Sequence, residues 1–142
     1  MTEHSETRIV SYTADLMYAV VADVERYPEF LPWCEGAEVI SRTPALTTAR
    51  LHINYLGVQK SFTTANRKEA HTWMQIQLIE GPFKDLAGHW RFLPLRDDAS
   101  KVELQLQYEF SNKLLETVIG PVFGQIANTL VERFVERADR PR

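Results

Sequence analysis

The segment KVELQLQYEF, residues 101–110, is the most constraining pattern in the chain. Val102, Leu104, Leu106, Tyr108 and Phe110 alternate with Glu103, Gln105, Gln107 and Glu109. A period of two places the apolar set on one face of a strand and the polar set on the other. Such a strand belongs to an antiparallel sheet with one side in water. Directly after it the period becomes helical. Leu114, Leu115, Val118, Ile119, Val122, Phe123, Ile126, Leu130, Phe134 and Val135 form an apolar stripe over about 112–138. Ser111 or Asn112 supplies its cap, and Gly120-Pro121 predicts a kink about two turns in.

Upstream, 36–42, 46–55, 58–66, 72–79 and 84–95 read as further strands, and TRIVSY (7–12) as a short first one. Leu51, Ile53 and Tyr55 share a face, a turn near Gly57 follows, and the chain returns through Val58 and Phe62. Gly88, in mid-strand, predicts a bulge or a close approach by a ligand or the helix. Thr13 can cap a helix starting at Ala14, with Asp15 in the first turn and Leu16, Ala19 and Val20 on one side. Asp23 starts a second, short helix that the Tyr27–Pro28 step ends. No internal repeat or low-complexity linker interrupts the 142 residues, which read as one domain.

The lengths of these elements decide the architecture. A helix of ~27 residues is ~40 Å long, whereas seven strands at ~4.8 Å span about 30 Å. The last helix therefore crosses the whole sheet. Because a twisted sheet curls, a straight helix touches its rims and leaves space near the middle. The expected fold is α+β, a curved antiparallel sheet of about six or seven strands around a long C-terminal helix, with an apolar cavity between them.

YPEFLPWC, residues 27–34, supplies a cover for that cavity. Tyr27, Phe30 and Trp33 recur every third residue between two prolines. A polyproline-like segment turns once per three residues, which puts all three rings on one edge. They either plug the core or act as a lid over a bound apolar tail. From the strands, Tyr55, Phe83, Leu86, Trp90 and Phe92 are wall candidates, and Phe123 faces them from the helix.

Charge and composition exclude several classes. A net charge of −3 provides no footprint for non-specific nucleic-acid binding, so no DNA partner is expected. Cys34 is the only cysteine, which excludes an internal disulfide and a Cys-based zinc site. The four histidines, at 4, 52, 71 and 89, lack ligand spacing. His52 and His89 lie on strands, where either can serve as an acid or base inside the cavity. Lys84 and Arg91 are surface cations or, alternatively, groups that orient a ligand oxygen or touch RNA phosphate. Cys34 reads as a buried inert thiol. The polar, acidic N-terminus lacks the features of a signal peptide, and no apolar run approaches ~18 residues, so a cytoplasmic location is expected. Arg133, Arg137, Arg140 and Arg142 read as a solvated face interleaved with acids.

Three segments, ADVERYPEFLPWC, EGPFKDLAGHWRFLP and LVERFVERA, together resemble the coenzyme Q-binding, START-like branch of the polyketide cyclase family. The resemblance covers nearly the whole chain and implies the helix-grip (START-like, Bet v 1-like) fold. It implies a non-enzymatic binder of an isoprenoid, ubiquinone in the first place, that supports cellular respiration and makes transient membrane contact, with no required cofactor. Bacterial members of the RatA kind imply an alternative: a toxin of a toxin–antitoxin pair that binds the large ribosomal subunit and blocks subunit association. The family's cyclases keep an enzymatic role as a third reading.

Overall fold

The alternating segment becomes the strand on which both ends of the fold converge. The computed structural model describes residues 1–139. In chain order the elements are β1 (Thr2–Val10), α1 (Ala14–Ala22), a 3₁₀ helix (Val24–Glu29), β2 (Cys34–Arg42), β3 (Leu46–Tyr55), β4 (Val58–Glu69), β5 (Trp73–Glu80), β6 (Phe83–Arg96), β7 (Ala99–Phe110) and α2 (Lys113–Ala138). The seven strands make one antiparallel sheet in the order β1-β7-β6-β5-β4-β3-β2. The apolar set of β7 is buried throughout, and its facing row on β6 is Leu86, Trp90 and Phe92.

Several strands reach beyond their apolar pattern at one end, because ladder hydrogen bonds need no hydrophobic period, although β1 stops at Val10 rather than Tyr12. β1 extends back to Thr2 by pairing with β7, opposing His4, Glu6 and Arg8 to Leu106, Leu104 and Val102. Charged residues on the inner face of an edge strand discourage a second sheet from adding there. Between β3 and β4, Tyr55 pairs with Val58 across Leu56 (φ 50°) and Gly57 (φ 84°). Positive φ at both central positions is the hairpin geometry that matches strand twist. Gly88 carries no bulge; it pairs in register with Ile76 and Leu106. A Cβ there would lie 3.3 Å from Leu106 Cδ1 and 3.5 Å from Ile76, so the protein atoms that approach closely belong to the neighbouring strands and not to the helix. Register shifts fall elsewhere: at Cys34/Gly36 and Val39/Ser41 on β2, at Phe83/Asp85 and Pro94/Arg96 on β6, and opposite Thr63/Thr64, where Ile79 of β5 is the extra residue; such bulges bend the sheet.

Thr13 caps α1 by accepting from Leu16 N at 3.1 Å. The buried side of α1 is Ala14, Met17, Tyr18, Val20 and Val21, rotated from the Leu16–Ala19–Val20 face because α2, β6 and β7 all pack against it. The 3₁₀ helix runs through Pro28 instead of ending at Tyr27. Its turn is closed around the proline by Phe30 N and Leu31 N donating to Tyr27 O at 3.2 and 2.9 Å. Asn112 caps α2, accepting from Leu115 N at 2.9 Å.

α2 is one unbroken helix across Gly120-Pro121. Pro121 lies on the solvent side, where water can hydrate the carbonyl left without an amide partner. Leu114 and Val118, assigned to the stripe from spacing, are exposed at 72% and 53%; Leu115 packs partly against the core, and the fully buried face begins at Ile119. By length and hydropathy alone α2 could cross a membrane, but Ile119, Val122, Phe123, Ile126, Ala127, Val131 and Phe134 are buried in the domain's core.

Candidate functional site

Between the middle of α2 and the sheet lies a cavity of about 80 Å³. Phe123, Ile126, Leu130 and Phe134 face it from α2, spaced along one side of the helix. Ala49, Leu51, Phe62, Thr64, Asn66, Ile76, Leu86, Trp90 and Leu106 form the sheet wall, and Val24, Tyr27 and Trp33 close the end. The volume is about half that of the ~150 Å³ apolar cavity known to accept benzene. Residual space of this size survives between the sheet and α2 because the small side chain of Ala49 and the short ones of Thr64 and Asn66 do not fill it.

Five of the nine candidate residues line this space: Tyr27, Trp33, Leu86, Trp90 and Phe123. The other four lie elsewhere. Phe83 stacks on Phe110 at 5.0 Å and sits edge-on to Phe123, filling the core beside the cavity. Phe92 stacks behind Trp90 at 6.0 Å. Tyr55 is the half-buried last residue of β3. Phe30 packs on the outer side of Phe134 at 5.4 Å, under the Arg137 guanidinium. The three-residue recurrence of the rings is nevertheless used, because a 3₁₀ helix also repeats every three residues and brings Tyr27 and Phe30 within 6.1 Å. The polyproline geometry expected there is not the one adopted.

Spacing missed Phe62, Thr64 and Asn66, although the signal was present. They follow one another at intervals of two on β4, in phase with its apolar face. Thr64 Oγ1 donates to Asn66 Oδ1 at 2.8 Å. Thr47 lies opposite Asn66 on β3. Among the described residues the Thr47 hydroxyl and the Trp33 indole Nε1 are buried without a hydrogen-bond partner. The Tyr27 hydroxyl is occupied, donating to the Val21 carbonyl, and burial pushes its pKa far above the ordinary phenol value. Among the described residues no carboxylate, imidazole, lysine or arginine lines the cavity.

The other titratable candidates lie outside it. His52 is on the outer face of the sheet, with Nδ1 2.6 Å from Ser61 Oγ and Nε2 2.5 Å from Glu38 Oε1. His89 also points outward, edge-on to Trp73. Neither is an acid or base of the cavity, because strand alternation turns both away from α2. Lys84 pairs with Glu109 and Arg91 with Glu103 on that same outer face, so neither reaches a cavity ligand. Cys34 is buried with its thiol pushed up to about 11 by desolvation. Arg137 is not on a solvated face: its side chain is 10% exposed and donates to Glu29 Oε1 at 2.7 Å. Arg133 lies near Glu136; Arg140 and Arg142 fall outside the described residues.

This geometry has close counterparts. The sequence profile described as polyketide cyclase / dehydrase and lipid transport matches residues 10–135. The chain belongs to that family. Within it, the persistence and stress-resistance toxin PasT of Escherichia coli O6:H1 (strain CFT073) and the ribosome association toxin RatA of E. coli K12 are each 41% identical over 138 residues, 97% of this chain and 87% of theirs. The mitochondrial coenzyme Q-binding protein COQ10 homolog B of Xenopus laevis is 26% identical over 142 residues, 97% of this chain and 58% of that protein. Among solved structures, the Zhui aromatase/cyclase from Streptomyces sp. R1128 superposes with a TM-score of 0.82 at 19% identity, covering 98% of this chain and 94% of that one. That likeness shows the fold: the START-like helix-grip.

Proposed function

We propose that the chain holds an uncharged isoprenoid, a polyprenyl quinone such as ubiquinone, between α2 and the sheet, and carries it in the bacterial cytosol in support of respiration without converting it chemically. The observation that carries this reading is the lining. It is apolar, closed by aromatic rings, and its one ionisable group, the Tyr27 phenol, is tied to a backbone carbonyl. General acid–base catalysis uses a group that changes charge near neutral pH, and among the described residues the wall carries none. Similarity to a coenzyme Q-binding protein supports the same ligand class. Each buried CH₂ contributes ~0.8 kcal/mol, so a five-carbon isoprene unit contributes on the order of 3–4 kcal/mol. The cavity of about 80 Å³ must widen to admit such a unit, by outward movement of α2 or of the 3₁₀ lid.

Solvent extraction of the purified protein followed by mass spectrometry tests this directly. A stoichiometric polyprenyl quinone is expected. Protein from quinone-producing cells that carries none, and takes up no added short-chain quinone, refutes the reading.

A second reading is favoured by the 41% identity to RatA: association with the large ribosomal subunit through the outer surface. The site for it is not the Arg137 region, since that guanidinium is held by Glu29 and Phe30. Co-sedimentation of the protein with large subunits, lost as salt rises from about 50 to 200 mM, is the expected signature of phosphate contacts. Absence of co-sedimentation at low salt rejects it.

A further inference from the structure

Asn66 is the polar side chain that an apolar cavity does not need. A core position on β4 could be filled by Leu or Val at no desolvation cost, whereas an amide buried there without full hydrogen bonding is expensive. Asn66 is 6% exposed, and its oxygen is already used by the Thr64 hydroxyl. That bond orients the amide: oxygen toward Thr64, NH₂ free. Among the described residues no protein acceptor takes the NH₂. Asn66 lines the cavity, and the Thr47 hydroxyl, on the facing strand position, is buried and without a hydrogen-bond partner among the described residues.

We infer that Asn66, oriented by Thr64 and flanked by Thr47, is a hydrogen-bonding anchor for the carbonyl oxygen of an uncharged ligand whose apolar body fills the cavity. This rests on the carrier reading and narrows it to a chemical class. The free polar group on the wall is a donor, so the complementary ligand atom is an acceptor. A quinone, ketone or ester carbonyl fits; a pure hydrocarbon leaves the amide unpaired. A carboxylate or phosphate would be buried beside a wall with no cation on it. Lys68, two residues further along β4, is the nearest lysine or arginine in the sequence to Asn66 apart from Arg67, which lies on the opposite face. Lys68 does not line the cavity and sits beside Glu25 and Arg42. It is the group through which an acid would have to be accommodated, which makes an acidic ligand the sharpest control.

The experiment compares three probes on the full chain, read by quenching of Trp33 and Trp90 fluorescence and confirmed by calorimetry. They are a decyl-substituted dimethoxy-methyl-benzoquinone, decylbenzene and decanoate at pH 7.5. The quinone is expected to bind about tenfold more tightly than decylbenzene, equivalent to ~1.4 kcal/mol, and decanoate more weakly than either. Asn66→Leu is expected to erase the quinone's advantage while leaving decylbenzene affinity within about threefold. Equal affinity for quinone and hydrocarbon, or an unchanged preference in Asn66→Leu, overturns the anchor and leaves the carrier reading intact. Decanoate binding as tightly as the quinone overturns the class assignment. If none of the three binds, the carrier reading itself fails. Should Asn66→Leu not fold, ¹⁵N spectra of the wild-type chain decide: the Asn66 side-chain NH₂ resonances shift with the quinone and not with decylbenzene, and an equal response to both overturns the anchor.

Discussion

Replacing Ala49 by Ile tests whether the space between α2 and the sheet is empty in solution. Ala49 is 1% exposed and lies in the middle of the sheet wall, and a β-branched residue suits a strand. An unfilled void costs about 24 cal/mol per Å³, so one of about 80 Å³ costs about 2 kcal/mol. Three added carbons, each contributing ~0.8 kcal/mol on burial, give a similar gain. The variant is therefore expected to be more stable by about 2 kcal/mol, raising Tm by roughly 7 °C for a chain of this length. Scanning calorimetry of the ligand-free protein measures this, and quinone uptake by the same variant should fall at least tenfold. Destabilisation by 1–3 kcal/mol, the usual result of overpacking a filled core, would show that no such space exists and would remove the physical basis of the carrier reading.

Other perturbations follow from single contacts. Arg137→Ala removes a guanidinium that donates to Glu29 and lies 5.1 Å from the Phe30 ring; because Glu29 is half-exposed, the expected loss is about 1–2 kcal/mol by urea titration. Glu25 and Glu29 have carboxyls held below the ordinary range, chiefly by hydrogen bonds from Arg42 and Arg137. Their contribution is fully present above the unfolded carboxylate pKa of about 4.3 and is lost as pH falls through their lower folded values. Tm should thus be flat down to about pH 5 and drop below it, with a shallower drop in Arg42→Gln. The Cys34 thiol, at about 11 and buried, should react with a thiol-specific disulfide reagent at pH 8 only after denaturation; fast reaction in the native state would contradict its burial. Asn112→Ala deletes the cap on Leu115 N and should cost about 1 kcal/mol, visible in the same urea titration.

Periodicity made most of the fold legible. Alternation in 101–110 and the helical stripe after it are local signals of which face is apolar, and β3, β7 and α2 emerged within a residue or two of their observed ends. Leu114 and Val118 were misplaced because periodicity reports that a residue is apolar, while exposure depends on where the partner surface stops. The outward direction of His52 and His89 was implicit in strand alternation once the inner face was known, yet their chemistry drew them toward the cavity.

What the chain's residues determined by themselves was the set of two amphipathic surfaces, one with period two and one with period 3.6, and a helix longer than the sheet is wide. Both are short-range properties, set by backbone geometry and the order of apolar side chains. Which rings meet across the core was decided only in three dimensions. Phe30 went to the outside of Phe134 and Tyr27 to the cavity because a 3₁₀ turn, rather than an extended segment, formed around Pro28. The position of the unfilled volume is likewise a tertiary outcome, since it is the remainder left where the side chains of the sheet and of α2 do not meet, and no local pattern encodes a remainder.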